Sequence, residues 1–162
     1  MPVINHENIV GESWALITDI DELNQTGPGT NAIISAKLWR NHIDTINART
    51  GKSGLLINPD DDTNALTDLF GEAALIAIYF PAFTDGRGYS HAQKLRTQHD
   101  YTGEIRAVGE ILPDQLFFMK RLGFDTFDVD QRHNQETLDY AFKRYSSHYQ
   151  GSPTAEPLYQ KR

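Results

Sequence analysis

The chain has 162 residues, a net charge of −7 and no cysteine. That length suits one domain with its own core, and the acidic balance argues against a general nucleic-acid binder or a protein that docks on anionic membranes, both of which need a basic footprint. Without cysteine there is no disulfide, thiolate nucleophile, cysteine-ligated zinc or cysteine-ligated iron–sulfur cluster, which fits a cytoplasmic location.

The first residues, Met1-Pro2-Val3-Ile4-Asn5-His6-Glu7, lack a basic region followed by an apolar core, so no signal peptide is expected. No apolar run is long enough to span a bilayer. Pro2 to Thr18 reads as a short strand, a turn at Glu7-Asn8 or Val10-Gly11, and a second strand through Trp14-Ala15-Leu16-Ile17. Asp19 to Thr30 is polar, contains Gly27-Pro28-Gly29 and reads as a loop. A short apolar run follows at residues 31–35. Leu38, Trp39, His42, Ile43 and Ile46 then recur at helical spacing up to Arg49.

From Gly54 the pattern becomes regular. Gly54-Leu55-Leu56-Ile57 reads as a buried strand, and Asp60-Asp61-Asp62-Thr63 supplies capping groups for a helix carrying Leu66, Leu69 and Phe70. Residues 74–80 form the strongest strand signal, and their continuous apolarity predicts cover on both faces. A glycine-bearing turn leads into a helix over 89–99. Glu104 to Val108 is the next strand. Pro113 opens a helix that Gly123 closes. Residues 126–129 form a last short strand, 135–149 a final helix and 151–162 a loose tail. The alternation predicts a single α/β domain over 1–150 in three layers. Its sheet is mainly parallel and built from βα units, with an antiparallel N-terminal addition. A flavodoxin-like and a partial-barrel arrangement both fit.

In such folds, sites gather where strand C-termini pass into helices. Two turns qualify. The first is Thr84-Asp85-Gly86-Arg87-Gly88-Tyr89-Ser90, where glycines permit positive φ, a helix N-terminus offers free N–H groups, and Arg87 offers a fork for oxyanions. The spacing matches neither a P-loop nor a dinucleotide fingerprint. The bland alternative is a tight turn capped by Asp85, with Arg87 paired to a nearby carboxylate. The second turn is Gly109-Glu110 through Asp114. On the strand before it, Glu104 and Arg106 lie two apart and share a face, which predicts either a Glu104–Arg106 pair or an Arg106 that joins Arg87 in a pocket. Asp85 and Glu110 are the candidates for moving a proton. Phe117, Phe118, Phe124 and Phe127 predict core packing, or else a partner-binding patch. The histidines show no metal spacing, the Asp60–Asp62 run is simpler as a helix start than as a magnesium site, and no serine sits in a nucleophile elbow.

The motif Tyr79-Phe80-Pro81-Ala82-Phe83-Thr84-Asp85-Gly86-Arg87-Gly88-Tyr89-Ser90 resembles a bacterial family, domain of unknown function 934. So do Lys94-Leu95-Arg96, Gly103-Glu104-Ile105-Arg106-Ala107-Val108-Gly109, Asp114-Gln115-Leu116-Phe117-Phe118-Met119 and Gly123-Phe124-Asp125-Thr126-Phe127. Ala82 stands where that family usually has lysine, and Leu122 where it often has cysteine. The resemblance implies an accessory protein or oxidoreductase of assimilatory sulfite reduction, acting with the sulfite reductase haemoprotein or its electron donor. It implies no catalytic residue and no particular cofactor. No cofactor motif is evident, and flavin stays open because a flavodoxin-like sheet needs no fingerprint to bind it. The alternative is an enzyme acting on a small anionic or phosphorylated ligand at the C-terminal edge of the sheet.

Overall fold

The computed structural model describes residues 3–5, 9–10 and 12–129, together with 137, 140–142 and 152–153. Among these, eight strands form one sheet: β1 (Val3–Asn5), β2 (Ile9–Val10), β3 (Ala15–Ile17), β4 (Ala32–Ser35), β5 (Ser53–Ile57), β6 (Ile76–Phe80), β7 (Ile105–Gly109) and β8 (Thr126–Asp128). The spatial order is β2-β1-β8-β7-β6-β5-β4-β3. Each strand from β4 to β8 lies parallel beside its predecessor, with β3 at one edge, while β1 and β2 add on antiparallel next to β8 at the other.

That order separates the two expected arrangements. A flavodoxin-like sheet reverses direction at a switch point, whereas here the chain steps one way from β3 to β8. Right-handed crossovers taken in one direction put every connecting helix on the same face, as in a barrel. The helices are α1 (Ile20–Gln25), α2 (Ala36–Asn41), α3 (Ile43–Asn47), α4 (Thr67–Phe70), α5 (Arg87–Thr97) and α6 (Leu116–Leu122). Their buried residues, among them Leu23, Trp39, Ile46, Leu69, Leu95 and Met119, join one large core. It also takes one side of the strands: Ile17, Ile34, Leu55, Ile57, Ile76, Ile78, Ala107 and Phe127.

The other side of the sheet has its own small cluster of Ile33, Leu56, Leu75, Ala77 and Val108, with Trp14 and Tyr79 packed on it and no helical residue. The described residues thus build a helix layer and a sheet, and on the second face a curled sheet in place of the third layer. The curl follows from one contact. Trp14 precedes the edge strand β3, and Arg106 lies on β7, four strand spacings away, or about 19 Å across a flat sheet. Yet the Arg106 guanidinium carbon sits 5.3 Å from the Trp14 ring centre. The sheet wraps far enough to bring them together.

Local chemistry explains where elements start and stop. The predicted helix over 38–49 is split into α2 and α3 because His42 takes a non-helical backbone at φ −135°. The polar stretch read as loop contains α1: the Asp19 side chain accepts from the Glu22 amide at 2.9 Å, and Glu22 reaches back to the Thr18 amide at 2.7 Å. This is a capping arrangement that holds two otherwise unpaired donors. Gly123 ends α6 in a left-handed conformation, as expected. Of the expected final helix, Thr137 and Tyr140–Phe142 are helical, and Phe142 packs on Phe127. The rest of that helix, most of the tail and the turn at Glu7-Asn8 lie outside the described residues.

Candidate ligand cavity

The concave face holds a cavity of about 670 Å³. Strand alternation builds its wall. Register pairs Leu16 with Ile33, Ala77 with Arg106, Arg106 with Thr126 and Val3 with Asp128, so these side chains share the helix-free face. The cavity is lined along β7 by Arg106, Val108 and Gly109, with Glu110, Ile111 and Leu112 at the strand's C-terminal end. Tyr79, Pro81 and Phe83 line it from β6 and its turn, and Leu16, Ile33, Val3 and Asp128 from other strands. Glu12, Ser13 and Trp14 close it from the segment before β3.

Arg106 is the unusual wall residue, because only 1% of its surface is exposed. Its Nε and Nη2 donate to Glu104 Oε1 at 3.0 and 2.7 Å, and Nε also to Thr126 Oγ1 at 3.1 Å. Thr126 in turn donates to the same Glu104 oxygen at 2.6 Å. The remaining terminal nitrogen, Nη1, is buried without a hydrogen-bond partner. A guanidinium stripped of water and left with an unused donor is costly to bury, so this donor is a strong attractor for an acceptor in the cavity. The expected Glu104–Arg106 pair forms, and Arg106 also lines the pocket, but without Arg87, which does not reach it.

Asp128 faces the same space. Its Oδ1 is buried without a partner. Burial pushes its carboxyl above the usual range, against the opposing pull of nearby positive charges, Arg106 among them. On the other side Glu12 accepts from Lys52 at 3.1 Å and from the Trp14 indole at 3.3 Å, and the Lys52 bond chiefly holds its carboxyl below the usual range.

A family model described as a bacterial protein of unknown function, DUF934, matches residues 54–159, well over half of the chain. The chain belongs to the DUF934 family. No curated protein matches it. The family match covers Arg106, Gly109, Glu110 and Asp128 but not Trp14 or Glu12, so the cavity of this DUF934 protein is built from inside and outside the matched segment.

Three of the sequence-derived site residues, Arg106, Gly109 and Glu110, come together in the cavity wall. The others do not line it. Arg87 is half exposed, and its fork closes on Asp85 through Nε at 3.0 Å and Nη2 at 2.7 Å, while Nη1 reaches Asp60 on the loop after β5. Asp85 Oδ1 also accepts from the Arg87 amide at 3.1 Å, and this pairing holds the Asp85 carboxyl down to about 2. The first turn is therefore the capped, ion-paired loop weighed as the bland alternative. Its glycines also work differently from expectation: among the described residues only Gly109 and Gly123 among the glycines take positive φ. Gly86 has φ −81° and caps α5, and Gly88 lets α5 lie on the Phe80 ring. Tyr89 packs on Phe80 and Phe118, with centroids 5.4 Å away in each case. Thr84, Ser90 and Asp114 are exposed.

The Asp60–Asp62 run is likewise divided among separate tasks. Asp60 meets Arg87, Asp61 accepts from the Asn58 amide, and Asp62 accepts from the Asn64 amide. Phe124 and Phe127 are core, whereas Phe118 is exposed, so the aromatic cluster is mainly packing. The reasoning from sequence missed Trp14, Tyr79, Thr126 and Asp128 as site residues. The signal available was period-two alternation on β8: Thr126 and Asp128 are polar and flank the apolar Phe127, the mark of a strand with one solvated or ligand-facing side.

Proposed function

We propose that this protein binds a small anionic molecule in its concave cavity and that it does so in the service of assimilatory sulfite reduction, the setting implied by the family resemblance. The observation that carries the binding half is Arg106, a cavity-lining guanidinium that is almost fully buried and keeps one donor, Nη1, unpartnered. Arg106 would orient the anion, and Trp14 would cover the guanidinium and exclude water on that side. Glu110 at the cavity mouth and Asp128 on its wall are then the groups placed to move a proton, whereas Asp85 is committed to Arg87.

Trp14 reports on the site. With the buried Trp39 replaced by phenylalanine, emission from Trp14 should shift on titration with a panel of inorganic and organic oxyanions. Arg106→Lys, which keeps the charge but loses the fork, should weaken the response at least tenfold. A panel that leaves Trp14 emission unchanged, or an Arg106→Lys response equal to wild type, refutes the binding half. The setting stands or falls separately. Normal growth of a deletion strain on sulfite as sole sulfur source, with no co-purification of the haemoprotein, would remove it.

A second reading, docking on the haemoprotein or its electron donor, is favoured by Phe83 and Leu112 at the mouth and Phe118 nearby on α6, all exposed. Gln115 ties the mouth together by donating to the Phe83 carbonyl at 2.7 Å and accepting from the Leu112 amide at 3.1 Å. Phe83→Ser with Leu112→Ser should abolish co-purification if this rim is the docking surface, and leave it intact otherwise.

A further inference from the structure

Resting on the binding reading above, we propose that the ligand is an organic acid rather than a free inorganic oxyanion, and that it carries a hydrogen-bond donor beside its acidic group. Two independent features lead there. The first is size. A cavity of about 670 Å³ has room for roughly twenty water molecules at ~30 Å³ each, and an inorganic oxyanion fills the space of only two or three. The wall also carries apolar side chains, Leu16, Ile33, Val108 and Tyr79 among them, which a carbon body would cover and an inorganic ion would leave wet.

The second feature is the pairing of opposite hydrogen-bond roles. Arg106 Nη1 offers a donor with nothing to donate to, and Asp128 Oδ1 an acceptor with nothing to accept from. Register places them close. Arg106 is level with Thr126 on the neighbouring strand, and Asp128 lies two residues further along on the same face. One strand spacing and two residues separate their backbones, some 8 Å by the diagonal. A ligand that satisfies both must present an acceptor and a donor at the same end. An α-hydroxy acid does this, with its carboxylate toward Arg106 and its hydroxyl toward Asp128. An oxyanion lacking a proton offers acceptors only and leaves Asp128 facing like charge.

The test compares four probes on the full chain by ligand-observed NMR and Trp14 emission: mandelate, phenylacetate (the same body without the α-hydroxyl), sulfate and sulfite. The expected order is mandelate at least fivefold tighter than phenylacetate, and both tighter than either inorganic ion. Asp128→Ala should erase the preference for mandelate over phenylacetate while leaving phenylacetate binding. The ranking is read on the wild-type protein and so does not depend on that variant folding. Sulfate or sulfite binding as tightly as the organic acids would overturn the inference while leaving the anion site intact. Equal binding of mandelate and phenylacetate would overturn the donor part. If none of the four perturbs Trp14, the inference and the binding reading fall together.

Discussion

Gly109 is the sharpest place to test how the cavity mouth is held. Its φ is +105°, and a Cβ there would fall on the Phe80 carbonyl oxygen, with the Phe80 carbonyl carbon and Tyr79 Cε2 each at 3.0 Å. Gly109→Ala therefore meets two penalties. Backbone strain at such a φ costs about 1–3 kcal/mol. Overpacking against a backbone carbonyl, which cannot swing aside like a flexible side chain, adds about 1–3 kcal/mol. A loss near 3 kcal/mol lowers Tm by roughly 6–12 °C in a domain of this size. The carbonyl that would have to move accepts from the Glu110 amide at 2.8 Å, so the substitution should also dislodge Glu110 and weaken anion binding. Gly86→Ala is the control, since Gly86 has ordinary φ and its added Cβ would find nothing nearer than Tyr89 Cδ2 at 3.8 Å. Only a capping loss of about 0.5–1 kcal/mol is expected there. Urea unfolding of both variants measures the contrast. If the two losses agree within about 1 kcal/mol, the account of Gly109 is wrong.

Gly88→Ala would press a methyl to 2.6 Å from the Phe80 ring, which is almost fully buried, and should cost about 1–3 kcal/mol in the same assay. Asp85 titrates near 2 in the folded protein, below the ordinary 3.8, so its stabilising contribution is present above 3.8 and lost as pH falls toward 2. Asp85→Asn should flatten the stability profile across that window, and an unchanged acid limb would contradict the pairing with Arg87. Asp128 has the opposite sign. Its folded pKa is raised, so its favourable contribution is complete at acid pH and disappears as pH rises through the folded value. Asp128→Asn should be more stable than wild type at neutral pH, with the gap closing below about pH 3.8. Thermal unfolding across pH 3 to 8 shows whether the curves converge.

How much of this was open to reading from residues alone depended on the range of the interaction. Strand–helix alternation after Gly54 is a local pattern, and β5 to β8 appeared where apolar runs predicted them. The Glu104–Arg106 pair was equally legible, because charges two apart on a covered strand have few other partners. α1 was passed over because Gly27-Pro28-Gly29 dominated its neighbourhood, although Asp19 and Glu22 stood at capping-box spacing. The Trp14–Arg106 contact had no local signature. It joins residues 92 positions apart through the curl of the whole sheet, and curl is a sum of small strand twists that no short window reveals. The paired glycines around Arg87 suggest positive φ, whereas Gly86 caps α5 at an ordinary φ and Gly88 makes room for the Phe80 ring.

The helix-free face has a consequence for how such a protein can diversify. Along β7, Ile105 and Ala107 point into the helix-packed core, while Arg106 and Val108 point into the cavity. On β8 the same division separates Phe127 from Asp128. Foldability and ligand choice are therefore written on alternate letters of the same strands. Substitution at every second position can retune what the cavity accepts while the surface that docks the helices stays untouched. A library confined to positions 16 and 128, which stand outside the packed cluster of that face, would vary the cavity wall at the least risk to folding.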